Sequence, residues 1–155
     1  MTYICGIDPG VTGALAIHRA GRLVDIIDLP VLGGRVDGRE LHEMLSGEEL
    51  LVFLEDTHAM PKNGSIASFS LGLNTGIIIG VVESLSHPLV RVRPAAWKKK
   101  MSVTRQDKNA LRGVVRELYP DFADYFTRVK DHNRAEAVLI SRYGVAMNLQ
   151  EANHD

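Results

Sequence analysis

Tyr3-Ile4-Cys5-Gly6-Ile7-Asp8-Pro9-Gly10-Val11-Thr12-Gly13-Ala14-Leu15-Ala16-Ile17 is the stretch on which the fold turns. An apolar run ends in a carboxylate, bends at Pro and Gly, and returns as a second apolar run. That pattern predicts a strand over Tyr3–Asp8 and an antiparallel partner over Gly13–His18. Asp-Pro-Gly is good turn chemistry, so Asp8 has a purely local explanation. Nothing about core packing asks for an acid at a strand tip, however, and the same arrangement recurs downstream.

The recurrence is Leu50-Leu51-Val52-Phe53-Leu54-Glu55, an apolar run that again ends in an acid. Unbroken apolarity predicts a strand covered on both faces. Between the two lie a strand at Arg22–Leu29, a glycine-rich loop from Pro30 to Gly38, and a short helix over Gly38–Leu45. Beyond Glu55, a loop over Asp56–Ser65 leads to a long helix at Ile66–Ser86, then a short strand at Leu89–Val92. Helices follow at Ala95–Met101, Gln106–Tyr119 and Asn133–Met147. Three antiparallel strands followed by α/β units predict an α/β fold, a mixed five-stranded sheet with helices on both faces. One domain over residues 1–147 and a polar, fraying tail over 148–155 are expected from the length of 155 residues.

If the two acid-tipped strands are neighbours, Asp8 and Glu55 lie about 5 Å apart, the spacing of adjacent strands. Close carboxylates repel and favour a cation between them, and hard oxygen donors suit Mg²⁺ or Mn²⁺. The third acid is Glu136, in Lys130-Asp131-His132-Asn133-Arg134-Ala135-Glu136-Ala137, just before the apolar run Val138-Leu139-Ile140. His132 and Asn133 stand one helical turn before Glu136 and share its face. Asp131 lies one position further out. Ordinary helix capping by Asp131 or Asn133 explains part of this pattern equally well.

The net charge of −1 points to no class of partner, but the distribution of charge is informative. From Arg91 to Arg116 there are nine Lys or Arg and one acid, Asp107. Such clustering is either a solvated helix face or a surface that follows phosphates. The single cysteine, Cys5, excludes an internal disulfide. The start of the chain shows no signal-peptide pattern, and the most apolar run, Gly76 to Leu85, is too short for a bilayer and carries Glu83. A cytoplasmic protein with no membrane partner is therefore expected. Gly72, Gly76 and Gly80, at spacing four, predict a smooth stripe along the long helix that admits a close neighbour.

Four stretches in order resemble the RuvC-like Holliday junction resolvases of the ribonuclease H-like superfamily, most closely the compact bacteriophage and organellar members. They are Gly6-Ile7-Asp8-Pro9-Gly10 with Thr12-Gly13-Ala14; Leu54-Glu55 with His58-Ala59-Met60-Pro61-Lys62 and Ser68-Phe69-Ser70-Leu71-Gly72; Arg93-Pro94-Ala95-Ala96-Trp97-Lys98; and Arg134-Ala135-Glu136-Ala137. The set spans residues 4–140. The resemblance implies a C2 homodimer that binds four-way or otherwise branched DNA and nicks two opposed strands, using two Mg²⁺ or Mn²⁺ ions. It implies Asp8, Glu55 and Glu136 as ligands. The family has a further ligand, commonly Asp, three or four residues before the last acid. Here His132 is the preferred candidate over Asp131 and Asn133. Met60 and Lys62 would meet DNA at the junction centre, unless Met60 tucks into its own core. Lys98, Lys99, Lys100, Arg105, Lys108 and Arg112 would track phosphates. The Asp8–Gly13 turn also resembles the phosphate loop of actin-like ATPases and sugar kinases, but this chain is too short for their two domains. No nucleotide cofactor is expected.

Overall fold

The computed structural model describes residues 2–58 and 60–152, with side chains through residue 148. Strands β1 (Tyr3–Asp8), β2 (Ala14–Arg19) and β3 (Arg22–Asp28) form the expected antiparallel meander. Within the glycine-rich loop lies a miniature hairpin, β4 (Val31–Leu32) and β5 (Arg35–Val36). Helix α1 (Gly38–Leu45) follows, its first turn capped by the Asp37 carboxylate, which accepts from Arg39 N and Glu40 N. Then come β6 (Leu50–Glu55), α2 (Ser65–Ser84), β7 (Leu89–Val92), α3 (Pro94–Lys100) and α4 (Lys108–Leu118). Two 3₁₀ turns, Pro120–Phe126 and Val129–Asp131, lead into α5 (His132–Ala152).

The main sheet has the order β3-β2-β1-β6-β7. β6 is parallel to both β1 and β7, so the sheet is mixed, as the order of elements predicts. Alternation along the strands sorts residues into two cores. Cys5, Ile7, Leu15, Val52 and Leu54 pack against α1 and α2. Ile4, Ala14, Ala16 and Phe53 pack on the other face with α3, α4 and α5. Asp8 stands two and four residues from Gly6 and Ile4, and Glu55 two from Phe53. Strand periodicity alone therefore turns both acids toward the α5 face.

α5 lies directly on β1 because Gly6 has no side chain. A Cβ at Gly6 would run into the backbone of Ser141 and Ala137, and one at Gly144 would meet the Phe53 ring and Ile4. This close approach fixes the height of α5 over the sheet. A buried relay adds direction: Ser141 Oγ donates to Val138 O and pairs with His18 Nδ1, while His18 Nε2 pairs with Tyr119 Oη, each at 2.9 Å. Burial, with Arg142 nearby, pushes the His18 imidazole down to about 4, so the ring is neutral at ordinary pH.

Two expectations change. α5 does not stop at Met147 but continues to Ala152 through the first part of the expected tail; residues 153–155 lie outside the described residues. α2 is, by length and composition, a helix able to cross a membrane, although Gly76–Leu85 alone is too short. Its buried side is only Asn74, Thr75, Ile78 and Val82. Asn74 is used there, its Oδ1 accepting from Val36 N of the hairpin at 2.8 Å.

Candidate active site

The β1–β6 register pairs Gly6 with Phe53 and Ile7 with Leu54. One step further brings Asp8 beside Glu55, both nearly buried at the carboxyl ends of parallel strands. Glu136 is the fifth residue of α5, on the turn that passes over this sheet end. The three acids act on one another: Asp8 feels the charges of Glu136 and Glu55, the Glu136 side chain lying close enough to raise it further, and Glu55 feels Glu136. Burial, then these like charges, hold the Asp8 carboxyl well above its ordinary range. The Glu55 carboxyl is raised by burial and by Glu136, against the opposing pull of a hydrogen bond from Trp97 and the charge of Lys98.

Two carboxyl groups within hydrogen-bond reach need a proton or a cation between them. The surrounding donors are all carboxylate oxygens, which fits Mg²⁺ or Mn²⁺ better than a softer ion. Among the described residues, no three His, Cys, Asp or Glu side chains are drawn tightly enough to hold an ion as they stand.

The remaining expected ligands are placed as follows. Asp131 is almost fully buried and turned away into an arginine clamp. Its Oδ2 accepts from Arg128 N at 2.8 Å, its Oδ1 pairs with Arg128 Nη2 at 2.9 Å, and Arg134 Nη1 lies 3.7 Å away. Burial pushes this carboxyl up, and the two guanidiniums more than reverse it, leaving it below the ordinary range. Asp131 is thus occupied in closing the 3₁₀ turn before α5, which removes the spare lone pairs an ion would use. His132 pairs through Nδ1 with Val129 O at 3.0 Å; that carbonyl only accepts, so the proton sits on Nδ1 and the Nε2 lone pair is left to another partner. Asn133 lines a cleft of about 210 Å³ with Thr12, Gly13, Asp28 and Arg128, beside the β1–β2 turn.

The basic residues divide. Lys99, Lys100 and Arg105 are exposed around α3 and the loop after it. Lys98 and Lys108 act on the acids through their charge, the first lowering Glu55 and the second Asp8, without an ion pair to either. Lys108 sits there because Asp107 caps α4, accepting from Ala110 N at 2.8 Å, and this explains the one acid in the basic stretch. Arg112 differs from expectation. Its half-buried guanidinium donates to Phe126 O and Thr127 O, both at 3.0 Å, and to Asn109 Oδ1 at 2.9 Å, so it ties α4 to the following 3₁₀ turn. Met60 is 64% exposed rather than tucked into the core, and Lys62 is exposed beside it; Ala59 lies outside the described residues.

Sequence reasoning passed over one contact. Trp97 Nε1 donates to Glu55 Oε2 at 2.7 Å. The signal available was the Pro94–Lys98 motif itself, whose tryptophan had no role in the reading of the acids.

No protein-family model matches the chain, and no curated protein matches it. Solved structures do. A Thermus thermophilus RuvC in complex with a Holliday junction substrate superposes with a TM-score of 0.64 at 16% identity, covering 94% of this chain and 96% of that one. A second Thermus thermophilus RuvC structure gives 0.54 at 16% identity, covering 92% and 96%. Strand order, sheet polarity and helix placement over nearly both full lengths give this chain the RuvC-like variant of the ribonuclease H-like fold.

Proposed function

We propose that this chain is a metal-dependent endonuclease that binds four-way and branched DNA as a homodimer and nicks opposed strands by phosphodiester hydrolysis. Residues 1–147 carry the activity as one nuclease domain. The observation that carries the reading is the meeting of Asp8, Glu55 and Glu136 at one sheet end in a RuvC-like fold. The similar structure bound to a Holliday junction supports the substrate class.

Asp8, Glu55 and Glu136, with His132 Nε2, would hold two Mg²⁺ or Mn²⁺ ions. The chemistry such ions would supply there is activation of a water and stabilisation of the departing oxygen. The protein's own residues supply the rest. Strands β1 and β6 hold two carboxylates rigid, and α5 sets the third. Lys98, Lys99, Lys100, Arg105 and Lys108 draw the phosphate chain over the acids. Lys108, whose charge is felt at Asp8, would help to orient the scissile phosphate. Met60 and Lys62, exposed on the loop leaving Glu55, meet unstacked bases at the junction centre.

Two opposed nicks need two equivalent sites, which a C2 pair provides. α2 supplies the surface. Gly72, Gly76 and Gly80 have nothing within 4 Å of where a side chain would begin, so the stripe does not face the chain's own sheet. Ile66 is 85% and Phe69 72% exposed on the same helix.

The test is a synthetic four-way junction incubated with protein and Mg²⁺ or Mn²⁺, with the product ends mapped. Paired, symmetric nicks are expected; an intact junction under both ions would overturn the reading. One observation favours a second possibility, a junction-binding protein without cleavage: the family's acidic slot holds Asn133, and Asp131 is engaged by Arg128. His132→Ala should nearly abolish cleavage and leave binding intact. If Asn133→Asp instead creates strong Mg²⁺-dependent cleavage where there was none, the silent binder is the correct reading.

A further inference from the structure

Trp97 is the chain's single tryptophan, and none of its side chain reaches solvent. A buried indole N–H needs an acceptor; here it takes a carboxylate oxygen of Glu55, at 2.7 Å. The chain path dictates that choice. β7 runs parallel to β6 with Val92 opposite Glu55, and Asp56 N donates to Val92 O at 2.7 Å. Arg93 then turns the backbone, and Pro94 opens α3 with the φ a first helical turn requires. The fourth residue of that helix is thereby brought back over the end of β6. Lys98 closes the other side of the ring, its Nζ 5.3 Å from the indole centroid.

One N–H on Oε2 stops the Glu55 carboxylate from rotating and leaves Oε1 to another partner. We infer that Trp97 is a positioning residue: its indole holds Glu55 so that Oε1 faces the Asp8–Glu136 pair and binds a divalent ion through that single oxygen. The inference rests on the nuclease reading above, since it requires an ion at these acids. It goes beyond that reading in two respects. Ion affinity comes under the control of a residue that touches neither the ion nor DNA. The one tryptophan also becomes an optical reporter of whether the site is filled.

Trp97→Phe keeps most of the apolar bulk and deletes the N–H. Titration calorimetry with Mg²⁺ and Mn²⁺ should show affinity weakened about tenfold or more, the usual consequence of removing an outer partner of a ligand. The Mn²⁺ concentration for half-maximal cleavage should rise in step. Circular dichroism and metal-free junction binding should match wild type. In the unaltered protein, Mg²⁺ should shift Trp97 emission at the calorimetric midpoint, and Asp8→Asn should lose that response. If Trp97→Phe does not fold, the emission titration decides alone: a signal that tracks binding supports the role, and silent emission during measurable binding overturns it. Trp97→Phe that binds Mg²⁺ as tightly as wild type overturns the role of Trp97 and leaves the nuclease reading standing. A wild-type protein that binds neither ion overturns both.

Discussion

α2 and α5 are nearly the same length, 20 and 21 residues, and neither has a clear polar face. They nevertheless meet opposite fates. From Ala135 to Ile140, α5 buries Ala135, Ala137, Val138, Leu139 and Ile140 between the sheet and the helices α3 and α4. α2 buries four residues and leaves Ile66, Phe69 and a row of glycines facing outward. An apolar helix needs cover, and the sheet with α3 and α4 supplies it for α5. Among the described residues nothing covers the outer face of α2, which is the physical content of the homodimer proposal. Glycine marks the same difference. On the α5 side, the space beside Gly6 and Gly144 is already filled by neighbours; on α2, the space beside Gly72, Gly76 and Gly80 is open.

The largest expected effect lies on the α5 side. Glu136→Gln keeps the shape of the side chain and removes its charge. If Glu136 is a ligand as proposed, losing it costs several kcal/mol of transition-state stabilisation, and cleavage should fall on the order of a thousandfold in a junction-nicking assay. Junction affinity measured without metal should be unchanged. Substitutions along the outer stripe of α2 should leave the chemistry at each site alone. Equal losses of cleavage from Glu136→Gln and from a stripe variant that remains dimeric would erase the distinction between the helices.

Next is the close approach at Gly6. Gly6→Val places branched carbons where the backbone of Ser141 and Ala137 already lies. Overpacking of this kind costs about 3 kcal/mol or more, visible as a large drop in the urea midpoint or as failure to fold. A midpoint near that of wild type would mean that α5 does not rest on β1.

The relay that ties α5 to β2 carries the pH dependence. His18 is held neutral, and its folded value of about 4 lies below the unfolded value near 6.5. The unfolded chain therefore binds the extra proton first. Stability is highest above about pH 6.5 and is lost progressively as pH falls toward about 4. The full size of this loss is on the order of 3 kcal/mol. Urea midpoints should decline over that window in the wild type and more shallowly in His18→Gln. Parallel declines would show that carboxylates alone govern acid unfolding.

The smallest effect belongs to α2. Gly76→Ala has space for its methyl group and gains helix propensity, so protomer stability should rise by up to about 1 kcal/mol in chemical denaturation at low concentration. Gly76→Arg should leave the protomer folded and convert the dimer to monomer in light scattering. A dimer that survives Gly76→Arg would move the interface away from this face.

The strands and two of the acids were legible because an acid at the tip of an apolar run breaks the expected pattern. Glu136 showed itself by standing among apolar residues that the fold buries. The β4–β5 hairpin was not legible, since two-residue strands have no period to detect. The continuation of α5 to Ala152 was hidden by polar residues, several of them good helix formers. Arg112 and Asp131 were misleading for a shared reason: their partners are backbone atoms and a neighbouring arginine brought in by 3₁₀ turns, which residue type alone does not announce. Trp97 required the parallel β6–β7 register before its target could be seen.

The three acids are numbered 8, 55 and 136, so they lie 47 and 81 residues apart along the chain. Each gap must be closed by a long loop before the carboxylates meet, and long-range closure is the slow part of folding. During synthesis, β1 and β2 can pair soon after they appear, whereas β1 must wait for β6 and the acids must wait for α5. A nascent chain therefore acquires its basic stretch, the proposed hold on nucleic acid, before it acquires Glu136. On the proposed nuclease reading, cutting would be the last property the polypeptide gains, and a chain interrupted before the final helix would be left without it.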